Sequence, residues 1–168
     1  MSLPLKNPAD LAARLELIQP ERVLLIDPPP ELASLLEGAR VAPATTRVGS
    51  GDALRMVKER FDAILVWRED RGGSRSVFEG AIKRLEPGGA IWVVTALKKV
   101  RGPTTPAVHR LELSDLVKAF AKDGLTHDRE VRVSGWNVAY RFRNPGSDPE
   151  GVRSRADRST RRTGKTSR

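Results

Sequence analysis

The sequence predicts an α/β protein with a mostly parallel sheet, helices on both faces of the sheet and an antiparallel hairpin at the C-terminal end. Residues 61–67 and 90–95 are apolar runs separated by a helical stripe, which is typical of two parallel strands joined by a crossover helix. Between residues 128 and 142 the apolar positions alternate and then change phase at Ser134-Gly135, which indicates a hairpin turn.

The residues before this central unit predict two helices and a strand. Asn7 caps a first helix, whose apolar face extends to Ile18. Residues 22–26 form a short apolar strand that ends at Asp-Pro-Pro-Pro, residues 27–30, and residues 31–37 return to helix. Helix, strand and helix in this order are expected at the start of an α/β sheet.

The middle of the chain contains the central strand. Residues 40–48 allow one or two short edge strands, and residues 50–52 can open another helix. Residues 61–67 are bounded by charge, as expected of a strand that is covered on both faces. A helix over residues 75–85 is then broken by Glu-Pro-Gly-Gly, residues 86–89, before the next strand.

The last helix and the hairpin complete the predicted sheet. Ser114 caps this helix, and Gly124 stands at its carboxyl end. The apolar stripe of the helix consists of Leu116, Val117, Phe120 and Ala121. The apolar positions of the hairpin are Val131 and Val133 before the turn, and Trp136, Val138, Tyr140 and Phe142 after it.

Length and composition predict one domain over residues 1–143 and a basic, disordered tail over residues 144–168. The chain of 168 residues has a net charge of +9, and residues 151–168 carry six of these nine charges. Because cysteine is absent, disulfides and thiolate chemistry are excluded. The N-terminal residues resemble neither a signal peptide nor a membrane span, so we expect a cytoplasmic protein without a membrane partner.

Two segments of the central unit carry a resemblance to a known class. Leu-Glu-Pro-Gly-Gly at residues 85–89, followed by Ile-Trp-Val-Val at 91–94, resembles the segment before the fifth strand of S-adenosylmethionine-dependent methyltransferases. Phe-Asp-Ala-Ile-Leu at residues 61–65 is similar to their fourth strand. The resemblance spans roughly residues 21–143 and implies a Rossmann-like, methyltransferase-like fold.

A closer resemblance is to a family of small uncharacterised bacterial proteins that is common in actinobacteria and is described only as a domain of unknown function. This family implies no activity. The similar positions are Asp62-Ala63, Trp67 to Asp70, Gly89, Ile91-Trp92, Thr95, Ser114-Asp115, Gly124-Leu125 and Trp136.

The expected cofactor turn departs from the methyltransferase pattern. That class has a glycine-rich turn after the first strand, whereas three prolines follow Asp27 here, and residues 40–50 lack the acid expected to bind ribose. Residues 51–53 resemble the segment that contacts adenine. Asp27 and Asp52 are therefore the candidate cofactor-binding residues, although Asp52 also suits a helix-capping role. Residues 27–29 also resemble the Asp-Pro-Pro-aromatic motif of amino-group methyltransferases, but Pro30 replaces the aromatic residue and a rigid turn is the alternative.

Catalytic residues are predicted only from their place in the chain. Glu69 and Asp70 follow the central strand, where α/β sheets place ligands, so either can act as a general base. The alternative is an exposed loop of mutually compensating charges. His109 and His127 are isolated, and we predict no metal site.

The clearest partner signal is the basic tail. Arginines separated by Ser, Thr and Gly can neutralise phosphates without sequence preference, so nucleic acid or a ribosomal surface is the predicted partner, with a solubilising tail as the alternative. The candidate nucleic-acid-binding residues are Arg153, Arg155, Arg158, Arg161, Arg162, Lys165 and Arg168, together with Lys98, Lys99 and Arg101.

Two functions compete. The sequence favours a non-catalytic, methyltransferase-like binding module that needs no cofactor and engages nucleic acid or a nucleoprotein. The alternative is an S-adenosylmethionine-dependent methyltransferase with an atypical cofactor turn. A third hypothesis is a scaffold that pairs through its edge hairpin, and one sequence does not reveal the oligomeric state.

Overall fold

The computed structural model describes residues 7–17, 20, 22–38, 44–97 and 106–145. A short 3-10 turn, Ala107–His109, precedes the last helix. In chain order the helices and strands are α1 (Pro8–Arg14), β1 (Arg22–Ile26), α2 (Pro30–Gly38), β2 (Ala44–Val48), α3 (Asp52–Met56), β3 (Phe61–Trp67), α4 (Ser74–Lys83), β4 (Leu85–Ala96), α5 (Leu113–Ala121), β5 (Thr126–Arg132) and β6 (Asn137–Arg143).

The six strands form one sheet in the order β2-β1-β3-β4-β6-β5. The first four strands in this order are parallel, and β6 pairs antiparallel with both β4 and β5. The predicted fold class is therefore confirmed, including the antiparallel hairpin at the C-terminal edge.

Helices cover both faces of the sheet because side chains alternate along the buried strands. Leu24 and Ile26 of β1 pack on the face that α3, α4 and α5 cover. Val23 and Leu25 of the same strand pack on the opposite face, beneath α1 and α2. All four side chains are completely buried, which explains why β1 reads as a continuous apolar run.

The N-terminal helix follows its predicted cap. The side chain of Asn7 accepts a hydrogen bond from the backbone N–H of Asp10 at 3.1 Å. The helix ends at Arg14, and Glu16 adopts a positive φ of 54°. Ile18, which was predicted to extend the apolar face, lies outside the described residues.

β4 begins earlier than the sequence predicted, and the boundary at residue 90 was wrong. α4 ends at Lys83, and Leu85 already pairs with Phe61. The register then shifts, because the next pair along β3 joins Ala63 to Ala90. Residues 86–89 therefore belong to an irregular start of the strand.

The last helix differs from its prediction in its cap and in its buried face. Glu112, and not Ser114, is the N-cap, and its N–H donates to Oδ2 of Asp115 at 2.8 Å. Leu116 is buried as predicted, whereas Val117 is 43% exposed. Ala121 is exposed as well, so the predicted buried face of the helix was too wide.

The hairpin confirms the predicted change of phase but not the predicted first residue of its second strand. β6 starts at Asn137, and Trp136 lies in the turn, where its N–H donates to Oγ of Ser134 at 3.1 Å. Of the predicted tail, only Asn144 and Pro145 are described. No helix in the described ranges is long and apolar enough to cross a membrane.

A cluster of charges joins the end of α1 to the hairpin. Glu16 pairs with Arg129 and, at 2.8 Å, with Arg141. The guanidinium of Arg141 also donates to both oxygens of Asp128, at 2.8 and 3.1 Å, and lies 5.7 Å from the ring centre of Trp92. Trp92 is only 1% exposed, so the charged cluster covers this part of the apolar core.

The cluster lowers the pKa of its central carboxyl group. Burial of Asp128 alone favours the protonated form, but hydrogen bonds and positive charge from Arg141, together with Arg143, outweigh it. The pKa of Asp128 therefore lies below its ordinary value, and the carboxylate stabilises the folded state wherever it is ionised.

We expect Gly89→Ala to destabilise the fold by about 1–3 kcal/mol. A Cβ atom at this position would lie 2.7 Å from the carbonyl oxygen of Asp62 and 2.7 Å from Cδ1 of Leu85. Gly135→Ala is the matched control, since a Cβ there has no neighbour within 4 Å. Urea unfolding of both variants measures the effect, and equal stabilities would contradict it.

Asp128→Asn should lower stability by about 1–2 kcal/mol at pH 7. Because the folded-state pKa is depressed, the stabilisation is present above the unfolded-state pKa of about 4 and disappears as the pH falls through the folded-state value. Denaturant unfolding at pH 7, 5 and 3 should therefore show a difference from the wild type that shrinks with acid. Asp52→Asn, at a side chain that is 99% exposed, should have little effect at any pH.

Candidate functional site

The sheet topology opens a crevice between the carboxyl ends of β1 and β3. These strands are neighbours, but β1 continues into α2 on one face, whereas β3 continues into α4 on the other. In open α/β sheets, ligands bind at such a switch point, just outside the carboxyl ends of the strands. Asp27 follows β1 and its side chain bonds toward the end of β2, whereas Arg68 and Glu69 follow β3 and the side chain of Glu69 bonds toward β6.

Asp27 links the ends of the first two strands. Its backbone N–H donates to the carbonyl of Val48 at 3.0 Å, and its Oδ1 accepts from the N–H of Ser50 at 3.1 Å. Its φ is 52°, a left-handed conformation that Asp tolerates better than most residues. The side chain is exposed, so its carboxylate is accessible at the mouth of the crevice.

The three prolines after Asp27 shape the turn into α2. Pro28 is half-buried, Pro29 is buried, and Pro30 is the first residue of the helix. The carbonyl of Pro29 accepts the helical bond from Ala33 at 3.2 Å. Since proline has no N–H, this turn cannot offer the backbone donors that a glycine-rich turn presents to a ligand.

Asp52 is the second predicted cofactor-binding residue, and it does not cap α3. Gly51 is the N-cap, with a φ of 144°, and no side chain caps this helix. Asp52 is the first helical residue, and within the described ranges its ion-pair partner is the exposed Arg55, at 3.7 Å. A Cβ atom on Gly51 would meet nothing within 4 Å, so the space beside Asp52 is open.

Glu69 is held by a buried amide that sequence reasoning missed. Its Oε1 accepts from Nδ2 of Asn137 at 2.8 Å, and Asn137 is only 2% exposed. The same Nδ2 reaches the carbonyl of Thr95 at 3.3 Å, and Oγ of Ser134 donates to Oδ1 of Asn137 at 3.2 Å. Asn137 therefore fixes the position of Glu69 at the end of β3.

Asp70 has a different role from its neighbour. Its Oδ1 accepts from the N–H of Gly72 at 2.7 Å, and its carbonyl accepts from Nε of Arg68 at 3.1 Å. Arg71 pairs with Asp115 at 3.1 Å. Asp70 therefore stabilises its own loop, which leaves Glu69 as the better placed of the two candidate bases.

A cavity of about 380 Å³ lies between the end of β4 and the start of α5, and neither Glu69 nor Asn137 lines it. Leu111 lines it, and the N–H of Leu111 donates to the carbonyl of Glu69 at 2.9 Å. Tyr140 forms part of the wall, and burial, with the charge of Glu130, raises the pKa of its hydroxyl. A second cavity of similar volume lies between α4 and α5, and Arg71 and Leu111 also line it.

The predicted nucleic-acid residues lie outside the described part of the chain, but the strands that lead to them are described. β4 ends at Ala96, at the carboxyl edge of the parallel strands, and leads toward Lys98, Lys99 and Arg101. β6 runs the other way and leads toward the tail from the amino edge, because Arg143 pairs with Ala90. The two groups are thus attached at opposite edges of the sheet. No group of His, Asp or Glu side chains suited to a metal occurs among the described residues.

Several solved structures have this fold, and two of them are described as methyltransferases. N-methyltransferase NodS from Bradyrhizobium japonicum aligns over 81% of this chain and 93% of its own, with a TM-score of 0.52 and 19% identity, and it is also known in complex with S-adenosylhomocysteine. A type 11 methyltransferase from Sulfolobus solfataricus aligns over 84% and 94%, with a TM-score of 0.56 and 13% identity. At these identities the likeness establishes the Rossmann-like methyltransferase fold.

A third structure, LaPhzM, aligns over 80% of this chain with a TM-score of 0.56 and 12% identity. The chain spans only 54% of that protein's length. No protein-family model matches the sequence, and no curated protein does.

Proposed function

We propose that the protein binds S-adenosylmethionine in the crevice between β1 and β3 and acts as a methyltransferase with an atypical cofactor turn. Of the two functions that the sequence suggested, the likeness to methyltransferases favours this one over a module without a cofactor. The observation that carries the proposal is the carboxylate of Asp27, which stands between the ends of β1 and β2.

Asp27 and Asp52 suit the nucleoside part of such a ligand. A carboxylate at the end of a strand is a good acceptor for ribose hydroxyls, and Asp27 keeps its side chain exposed beside the crevice. Asp52 and the open space at Gly51 lie one strand further out, where an adenine ring would find room. The proline turn, by contrast, does not fit an anionic group, since it supplies no backbone donors.

Glu69 is the proposed base. When bound, S-adenosylmethionine supplies an electrophilic methyl group, so an acceptor nitrogen or oxygen must lose a proton to the protein. Because Asn137 holds Oε1, the carboxylate of Glu69 is fixed in one orientation and can take that proton. The cavity beside Leu111 and Tyr140 is the proposed entry for the acceptor.

A second proposed function is binding to nucleic acid through the basic tail. Its support within the fold is a set of exposed cations at the amino edge, from which the tail leaves. Arg22 starts β1, Lys58 and Arg60 precede β3, and Lys83 precedes β4. None of these four cations has an ion-pair partner within the described ranges. Both functions suit a cytoplasmic protein, and the resemblance to the bacterial family of unknown function stays a prediction.

Isothermal titration with S-adenosylhomocysteine should give saturable binding that Asp27→Asn weakens about tenfold, because a charged acceptor is lost. Asparagine still accepts from Ser50 and tolerates a φ of 52°, so the melting temperature without ligand should not change. Asp123→Asn, an exposed site at the end of α5, is the control. No heat at millimolar ligand would count against the proposal.

Deletion of residues 151–168 should abolish most of the salt-dependent binding to a short single-stranded RNA or DNA. Each phosphate that the tail no longer neutralises should reduce the slope of log affinity against log salt by about 0.7. Arg75→Glu, which alters a side chain that is 77% exposed on α4, should leave the slope nearly unchanged. Equal binding by the full-length and truncated chains would remove the tail from the interface.

A further inference from the structure

The mouth of the crevice lacks the backbone N–H donors that a usual anion-binding site presents. Where a strand turns into a helix, the free N–H groups of the turn and of the first helical turn normally hold anionic groups. Here Pro28 and Pro29 form the turn and Pro30 is the first residue of α2, so three successive backbone donors are missing.

The charges around this turn are negative as well. Asp27 precedes the prolines, and Glu31 follows them in the first turn of α2. Both side chains are exposed. The carboxylate of Glu31 already lies at the positive end of the helix dipole, where it is stabilised and where it would repel a second anion.

The missing donors and the negative charges have the same effect on a ligand that binds through its nucleoside. If its ribose lies at Asp27, the group on its 5′ side extends toward the prolines and Glu31. A carboxylate there finds no backbone donor and two like charges, and the guanidinium of Arg68 is already bonded to the carbonyls of Asp70 and Gly72. An ammonium group finds two acceptors of opposite charge. The turn therefore selects against an anionic end and in favour of a cationic one.

We infer that the crevice takes adenine nucleosides whose side chain ends in an amine without a carboxylate, in preference to those that end in an amino acid. This inference rests on the proposed function, because it requires that the crevice bind S-adenosyl compounds. It adds the class of ligand that the turn prefers.

Three probes separate the contributions by calorimetry. They are S-adenosylhomocysteine, its decarboxylated analogue with an aminopropyl group in place of the amino acid, and methylthioadenosine, which carries neither charge. We expect the decarboxylated analogue to bind about tenfold more tightly than S-adenosylhomocysteine, with methylthioadenosine between them.

Glu31→Gln tests the source of the preference. It removes one negative charge at an exposed position, so the fold should lose no more than the small stabilisation that this carboxylate gains from the helix dipole, and the ratio between the two charged probes should fall about threefold. Affinity for methylthioadenosine should stay the same. Glu59→Gln, an exposed acid before β3, is the matched control and should leave all three affinities unchanged.

The outcomes distinguish the two proposals. If S-adenosylhomocysteine binds as tightly as the decarboxylated analogue, or more tightly, the inference is wrong while the proposed site stands. An unchanged ratio in Glu31→Gln also overturns it, because the turn would then not set the preference. If none of the three nucleosides binds, the proposed function and the inference both fail.

Discussion

The parallel pairing of β1 with β3 is the interaction on which the rest of the structure depends. Four consecutive residue pairs, from Val23 with Ala63 to Ile26 with Val66, join two strands that are buried on both faces. Because parallel strands need crossover connections, the helices that follow them must leave the sheet, and here they leave on opposite faces. This divergence creates the crevice. Asp27 follows β1 and bonds toward the end of β2, whereas Glu69 follows β3 and bonds toward β6.

The sequence predicted the fold well wherever the signal was local. The buried strand at residues 61–67 and the change of phase at the hairpin are visible in short windows, and both are confirmed. The errors lie at element boundaries, one decided by a distant residue and the other by a competing local cap. Residues 86–89 were predicted as a break, but pairing with Phe61 draws Leu85 into the strand. Ser114 is a good cap by type, yet Glu112 and Asp115 form a reciprocal pair that takes its place.

The candidate site was predictable only in part for the same reason. Asp27 and Glu69 follow strands directly, and the rule that ligands lie at strand ends identifies them from sequence alone. Asn137 carries no such signal, because its partners Glu69 and Thr95 are 68 and 42 residues away in the chain. Positive charge alone also placed residues 98–101 in one predicted interface with the tail. The strands that precede these two segments, β4 and β6, run in opposite directions.

The turn after β1 keeps the geometry of the fold without a glycine. A sharp turn there needs a residue with positive φ, which glycine supplies at no steric cost and Asp27 supplies here. The prolines then fix φ at the start of α2, which makes the turn rigid and reduces the entropy lost on folding. The prolines also supply no backbone donors, so in the proposed site recognition relies on the side chains of Asp27 and Glu31.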